Sequence, residues 1–388
     1  MRGLALEGGG ARGAYQIGVV KAYLENGYVF DGFVGTSIGA INAAILAQGD
    51  FDLAMELWQK VSMEQIFDTE DSRLITLGEG KFAINLPADL GKSLKKIISS
   101  KGVDTTKIRA FLEQYIDEDK VRSSGKEFGL VTVSIDERKA YEVFLDEIPE
   151  GKLINYIMAS AAAPGFMLEV IDEKKFIDGG LYNNCPINLL VDKGYDEIIA
   201  IRTGALGIFR KVDKSANVKI ISSDEDLGEL FLFSPEISEA NIKRGYYDGL
   251  QVIQNLSGRR YYLSGICMDR ICTVLMSLTD KEILKIGHIL ELPLKPAKRL
   301  LFELIIPHLG AYLKLEKDFN YTDFVVALLE YSAEQKMVER FQVYSYDQFV
   351  SHIKNRPLPK KEEPLLGTLF QSKKEKAVEA FVECLLNK

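Results

Sequence analysis

The chain has 388 residues, 47% of them hydrophobic and 27% charged, with 11 prolines. It is too long for one small domain and too apolar for a disordered chain, so about two packed domains are expected. A formal net charge of −8 lacks the basic footprint of a dedicated nucleic-acid binder, and no nucleic-acid partner is expected.

In chain order, Gly3 to Glu7 reads as a strand, and a helix follows from about Ala11 to Asn26, stopped by Gly27 in the usual capping place. Tyr28 to Gly35 contains a second strand. Ile38 to Gln48 is an alanine-rich helix closed by Gly49, and Asp50 or Asp52 caps a helix through Trp58. Over 63–103, glycines, Pro87 and mixed charges break the periodicity, so an irregular insertion or cap is expected, with a short helix around Leu90 to Ile98. Asp104 caps a helix through Ile116. Gly129 to Ile135 and Ala140 to Leu145 read as neighbouring strands, and Leu153 to Ala162 is helical, ending before Pro164. Lys175 to Ile177 is a strand running into Asp178. Glu197 to Arg202 and Val218 to Ile221 are further strands, and Pro235 to Asn255 is one long helix. Such alternation marks an α/β domain with helices packed on a largely parallel sheet.

From about residue 259 the strand signal fades, and helical periodicity takes over in Lys281 to Leu290, Ala297 to Leu304, Asp323 to Arg340 and Glu375 to Leu386. A domain boundary is expected near 258, and a linker at 356–364, where RPLPKKEEP cannot continue a helix. Cys185, Cys267, Cys272 and Cys384 show no paired metal-ligand spacing and no disulfide density, so free thiols and no metal site are expected. Residues 1–10 leave no room for a secretory apolar core, and no apolar run approaches the ~18 residues of a membrane span. A soluble, cytoplasmic protein is expected.

Three segments carry chemistry. Gly8-Gly9-Gly10-Ala11-Arg12-Gly13 lies between a strand and a helix, where backbone N–H groups can hold an anion or a developing oxyanion. Gly8, Gly10 and Gly13 also satisfy G-x-G-x-x-G, and Asp31 falls where a ribose-binding acid would lie. A dinucleotide-binding oxidoreductase is therefore a competing reading of this segment, although it gives the next two segments no role. The second segment, Gly35-Thr36-Ser37-Ile38-Gly39, again joins a strand to a helix. Glycines beside a serine permit the sharp turn that lifts a hydroxyl out of the sheet, while the bland alternative is a serine helix cap.

A serine hydroxyl needs a proton acceptor, and the three histidines, His288, His308 and His352, all lie in the helical carboxyl-terminal region, none at the end of a strand. The third segment, Phe176-Ile177-Asp178-Gly179-Gly180, offers a carboxylate at a strand end with glycines clearing space beside it; an ordinary Asp-Gly turn is its bland reading.

Together GGGARG, GTSIG, ASAAAPGF at 159–166 and DGGLYNNCP at 178–186 resemble the patatin-like phospholipase family in the right order, and DLGELFLFSPE and GYYDG at 245–249 are similar to stretches of bacterial members. The resemblance spans about residues 1–255. It implies a three-layer α/β/α sandwich with a mainly parallel sheet and a Ser-Asp dyad, with Ser37 as nucleophile and Asp178 as base. It also implies oxyanion donors among the amides of Gly8 to Gly13, chiefly Gly9, Gly10 and Ala11 or Arg12, and a lipid acyl hydrolase of phospholipase A or lysophospholipase type with no cofactor. Residues 1–258 would then be the catalytic domain and 259–388 a helical region without a named relative. A non-catalytic lipid-binding protein of the same fold is the alternative. An aspartate with a pKa of ~3.9 is a weak base, so partial burial of Asp178 is expected. Arg12 reads equally as a phosphate-binding cation or as a brace for the turn. The lysines and aliphatic residues of 91–102 (GKSLKKIISSKG) suit transient contact with an anionic bilayer, and suit a solvated helix as well.

Overall fold

The computed structural model describes residues 1–68, 102–358 and 372–388. The short helix expected at Leu90 to Ile98, most of 91–102 and most of the linker at 356–364 lie outside the described residues. The chain divides into two compact units, Met1–Leu250 and Gln251–Lys388.

The first unit is built on a sheet of eight strands among the described residues. They are β1 (Arg2–Leu6), β2 (Gly32–Thr36), β3 (Glu127–Ser134), β4 (Lys139–Phe144), β5 (Glu169–Ile171), β6 (Lys174–Asp178), β7 (Glu197–Arg202) and β8 (Val218–Ser222). The run β3-β2-β1-β7-β8 is parallel throughout, while β4, β5 and β6 add an antiparallel edge. The helices are α1 (Gly13–Glu25), α2 (Ile38–Ala47), α3 (Phe51–Lys60), α4 (Met63–Ile66), α5 (Thr106–Tyr115), α6 (Glu118–Ser123), α7 (Leu153–Ser160), α8 (Ile187–Asp192) and α9 (Pro235–Gln254).

Strand residues alternate between the two faces. Ala5, Val34, Val131, Ile198 and Ala200 pack with Ile187, Leu189 and Leu190 of α8 on one side. Leu4, Leu6, Phe33, Leu130, Ile199 and Ile201 are buried on the other, where α2 comes close enough that a Cβ on Gly39 would lie 2.3 Å from the Leu6 carbonyl oxygen. Helices on both faces of a mainly parallel sheet make the α/β/α sandwich. The strand at 169–171 and the helices at 118–123 and 187–192 were not foreseen. Each is six residues or shorter, too brief to show a period.

Strand register explains how distant segments meet. β4 pairs with β3 along Gly129 to Ser134, so it fills one edge of that strand. On the other edge, β2 runs parallel as far as Thr36 opposite Val131, and β6 comes in antiparallel with Asp178 opposite Thr132. The carboxyl ends of β2 and β6 therefore meet head to head over neighbouring residues of β3. Ser37 follows the first of these ends, and Asp178 is the last residue of the second.

The second unit is helical, with helices at Met268–Ser277, Asp280–Ile289, Ala297–Leu300, Ile306–Tyr312, Tyr321–Gln335, Tyr346–Asn355 and Lys373–Leu385. Its core gathers Leu275, Ile286, Leu309, Phe324, Phe349 and Phe381. Two three-residue parallel strands, Tyr262–Ser264 and Val343–Ser345, are an addition to the expected all-helical pattern. The helix expected over Ala297 to Leu304 runs on past Pro307 to Tyr312: the turn Leu301–Ile305 is π-helical, and this accommodates the missing Pro307 N–H before the helix resumes. Buried Glu330 accepts the backbone N–H groups of Arg259, Arg260 and Tyr261 at 2.8, 2.8 and 2.9 Å, which fixes the start of this unit.

Candidate active site

Ser37 has φ 57° and ψ −128°, a strained conformation for a residue with a side chain. The chain is forced into it by contacts on both sides. A Cβ on Gly35 would lie 2.2 Å from the backbone of Gly39, so β2 and α2 can meet in this turn only with both glycines in place. The Ser37 hydroxyl does not cap α2. Its side chain instead lies close enough to Asp178 to favour the carboxylate's ionised form, and the Ser37 N–H donates to Ser160 Oγ at 3.0 Å.

Asp178 is 7% exposed, and its Oδ1 accepts the Gly180 N–H at 2.7 Å. Burial pushes its pKa up to about 6, while the Gly180 N–H and the neighbouring Ser37 side chain pull it back down. The partial burial expected of a usable base is present.

The glycine turn lies against Ser37: a Cβ on Gly8 would approach Ser37 Cβ to 3.2 Å. Its amides are not equivalent. Gly8 N–H donates to the Asn184 carbonyl (3.0 Å), Ala11 to Leu230 (2.7 Å), Arg12 to Gly9 (3.1 Å), and Gly13 to Gly10. Gly9 and Gly10, which line the same cavity as Ser37 and Asp178, have N–H groups with no partner among the described residues. The six positions of the turn thus narrow to two available donors.

Arg12 acts as a brace. Its Nε donates to the Gly228 carbonyl at 2.7 Å, one terminal nitrogen reaches the carbonyls of Thr203 and Gly204, and the other lies 3.7 Å from Asp226. Asp31 stands at the opposite end of the sheet from the glycine turn. It precedes β2 and accepts the Arg2 N–H at 2.6 Å, whereas Gly8 follows β1, so a strand length separates the acid from the turn and the ribose-binding geometry does not form. His288, His308 and His352 are exposed on helices of the second unit.

Two supporting residues escaped the sequence reading. Glu7 is completely buried directly before the glycines, where it accepts N–H bonds from Thr203 and Gly204 and faces Arg202 at 3.5 Å. Burial raises its pKa, with Arg202 opposing. Thr203 Oγ1 in turn donates to the Gly8 carbonyl at 2.6 Å, so Glu7 and Thr203 clamp the turn to the end of β7. Asn184 is the other, bonding both Gly8 and Glu7. A charged residue inside the apolar run LALE was the available signal for Glu7; no local pattern marks Asn184.

A cavity of about 340 Å³ opens from the Ser37 hydroxyl. Its walls include Ile41, Trp58, Phe111, Pro164, Phe166 and Phe233 and are mostly apolar. Trp58 is held by its Nε1–H bond to Asn42 Oδ1 (2.9 Å) and stacks on Phe233. A dry apolar chamber ending at one serine, one carboxylate and two open amides suits a chain of methylenes attached to an acyl carbon.

A Gly10→Ala chain tests the turn. Gly10 has φ +53°, and an added Cβ would fall 1.9 Å from the Leu230 carbonyl oxygen, the acceptor for Ala11. Ester hydrolysis is expected to fall about 100-fold or more as a donor is displaced, and steady-state kinetics on a short-chain ester, with a thermal melt alongside, measures it.

Residues 4–191 match the patatin-like phospholipase family. The chain is similar to the mouse protein named patatin-like phospholipase domain-containing protein 7, at 28% identity over 206 residues, 52% of this chain and 13% of that one. It is similar to lysophospholipase NTE1 of Chaetomium globosum at 29% identity over 210 residues, 53% of this chain and 12% of that one. An uncharacterized NTE family protein of Mycobacterium tuberculosis is 28% identical over 200 residues, 51% of this chain and 30% of that one. The chain thus spans only a minor part of the length of these relatives. Among solved structures, VipD from Legionella pneumophila aligns with a TM-score of 0.41 at 15% identity, covering 100% of this chain and 85% of that one. The type III effector ExoU aligns with a TM-score of 0.34 at 15% identity, covering 97% and 76%. The matched segment contains the glycine turn, the serine elbow and the aspartate strand end, and it is over residues 4–191 that the chain matches a patatin-like phospholipase domain.

Proposed function

We propose that this protein is a serine lipid acyl hydrolase of phospholipase A or lysophospholipase type, working through an acyl-enzyme on a Ser37–Asp178 dyad. The observation that carries the reading is the convergence of Ser37 and a buried Asp178 on the wall of one apolar chamber.

In this reading the Ser37 oxygen attacks the ester carbonyl while its proton passes to Asp178. The oxyanion that forms is held by the Gly9 and Gly10 amides, and the helix amino terminus beneath Ser37 adds favourable dipole. Collapse breaks the carbonyl carbon–alkoxy bond, and Asp178 returns the proton to the departing lipid alcohol. A water then gives its proton to Asp178 and attacks the acyl carbon, releasing fatty acid and restoring Ser37. No step calls for a metal or cofactor. The acyl chain occupies the chamber, and the head group stays outside.

The cytoplasmic face of a membrane is the proposed place of action. No helix among the described residues is long and apolar enough to cross a membrane. Incubating the chain with a panel of diacyl lipids, lysolipids and neutral esters, with products identified by mass spectrometry beside a Ser37→Ala control, tests the function. Free fatty acid from at least one lipid class, absent in the control, is expected; a folded chain that releases none from any class refutes it.

A further inference from the structure

We propose that the segment following β7, residues 203–215, is a membrane-docking edge that seats the mouth of the chamber on an anionic bilayer, with Leu206 entering the lipid; the proposal rests on the lipid hydrolase reading above. Ala205, Leu206 and Gly207 form part of the chamber wall. Yet Leu206 is 86% exposed, and Ile208 and Phe209 beside it are 38% and 40% exposed. Three large apolar side chains within four residues, facing water beside an apolar cavity that Leu206 itself lines, are unusual unless something apolar covers them. Other parts of the wall continue the rim: Met167 and Leu232, next in sequence to the wall residues Phe166 and Phe231, are 50% and 40% exposed.

The display is held rigidly. Gly204 N–H bonds to Glu7, Ile208 N–H donates to the Gly180 carbonyl (3.0 Å), and Asn184 N–H donates to the Ile208 carbonyl (2.7 Å), so the backbone is pinned on both sides of Leu206. The Arg202 guanidinium lies 4.0 Å from the Phe209 ring.

Charge selects the occupant. The chain carries −8 overall, but this stretch supplies Arg210, Lys211 and Lys214 against the single acid Asp213, which is engaged by the Ser215 N–H and hydroxyl at 2.9 Å each. Arg210 pairs with Glu142, whereas Lys211 and Lys214 have no ion pair among the described residues. Protruding aliphatic side chains followed by unpaired lysines match a bilayer bearing acidic head groups. Seating the chamber rim in the bilayer also lets an acyl chain pass from lipid to the Ser37 chamber without exposing its methylenes to water.

The test uses the full chain carrying Ser37→Ala, so that lipid is not consumed, in flotation with phosphatidylcholine vesicles with and without phosphatidylserine. Binding to the phosphatidylserine vesicles is expected, with at least a tenfold loss on adding either Leu206→Asp or the pair Lys211→Glu and Lys214→Glu. Leu206 projects into solvent, so its variant is expected to melt with its parent. In the active chain, the lysine pair should leave hydrolysis of a soluble short-chain ester unchanged while lowering hydrolysis of vesicle lipid at least tenfold. Unaltered binding in both variants overturns the proposal, as does a parent that binds no vesicles. A self-associating chain that Leu206→Asp converts to monomer, with no vesicle binding, overturns it too and makes the edge a contact between copies. Because flotation needs no turnover, binding lost in these variants of an inactive protein would uphold the docking edge and sink the hydrolase reading. An active enzyme with indifferent binding would do the reverse.

Discussion

A Ser37→Ala chain is expected to fold like its parent and to lose ester hydrolysis by about 10⁴-fold or more, the scale seen when the nucleophile of a serine hydrolase is removed. The expectation of normal folding has a specific basis. The hydroxyl neither caps α2 nor fills a core position, and it faces the carboxylate proposed to take its proton. Alanine at φ 57° carries the same backbone strain as serine, so the elbow is neither relieved nor worsened. Kinetics on a soluble ester, paired with a thermal melt, separate the two effects: a large loss in kcat/KM at unchanged Tm.

Asp178→Asn is expected to remove activity to a similar degree and, unlike the first substitution, to stabilise the protein at neutral pH. In the unfolded chain this carboxyl ionises near 3.8, and in the folded chain near 6, because burial disfavours the anion. Below pH 3.8 both states hold the proton and folding bears no penalty. As pH rises from 3.8 to 6 the unfolded chain ionises this carboxyl while the folded chain keeps it protonated, so stability falls by about 1.4 kcal/mol per pH unit, up to about 3 kcal/mol, and does not fall further above 6. Asparagine can still accept the Gly180 N–H and never ionises. The variant is therefore expected to melt roughly 5 to 10 °C higher at pH 7 if the first unit unfolds as one, with the advantage vanishing near pH 4. In the parent enzyme, a base must be ionised to act, so kcat/KM should rise about tenfold per pH unit up to about 6 and then level off. A Tm of Asp178→Asn that tracks the parent from pH 4 to 7 would contradict the burial argument. An energetic cost carried by a catalytic group fits the general conflict between stability and activity.

Much of this arrangement could be read from the chain itself because the chemistry sits where strands end. Each reactive segment is a glycine-rich turn after an apolar run, and such turns have strict conformational demands: Gly35 and Gly39 are fixed by a close approach, Gly10 by its positive φ. The strand Glu197–Arg202 was legible to the residue, since a buried parallel strand is a continuous apolar run. Other features depend on pairing between distant segments. The meeting of β2 and β6 on one edge of β3 is set by register with a strand some hundred residues from Ser37, which no local pattern encodes. Likewise, six amides of one turn look alike in sequence. Only their partners, Asn184, Leu230, Gly9 and Gly10 among them, decide which two stay open. Asp31 shows the converse hazard: spacing that fits a dinucleotide motif places the acid at the wrong end of its strand. The helix expected over Ala297 to Leu304 continues past Pro307 through one π turn that periodicity alone does not announce.

A nucleophile at Ser37 activated by Asp178 is tested most directly by covalent capture with a fluorophosphonate, followed across pH with the modified peptide identified by mass spectrometry. One adduct on Ser37 is expected, forming at a rate that climbs to about pH 6 and is lost in Asp178→Asn. A folded chain whose Ser37 stays unmodified, or one labelled equally fast when Asp178 is asparagine, would contradict it.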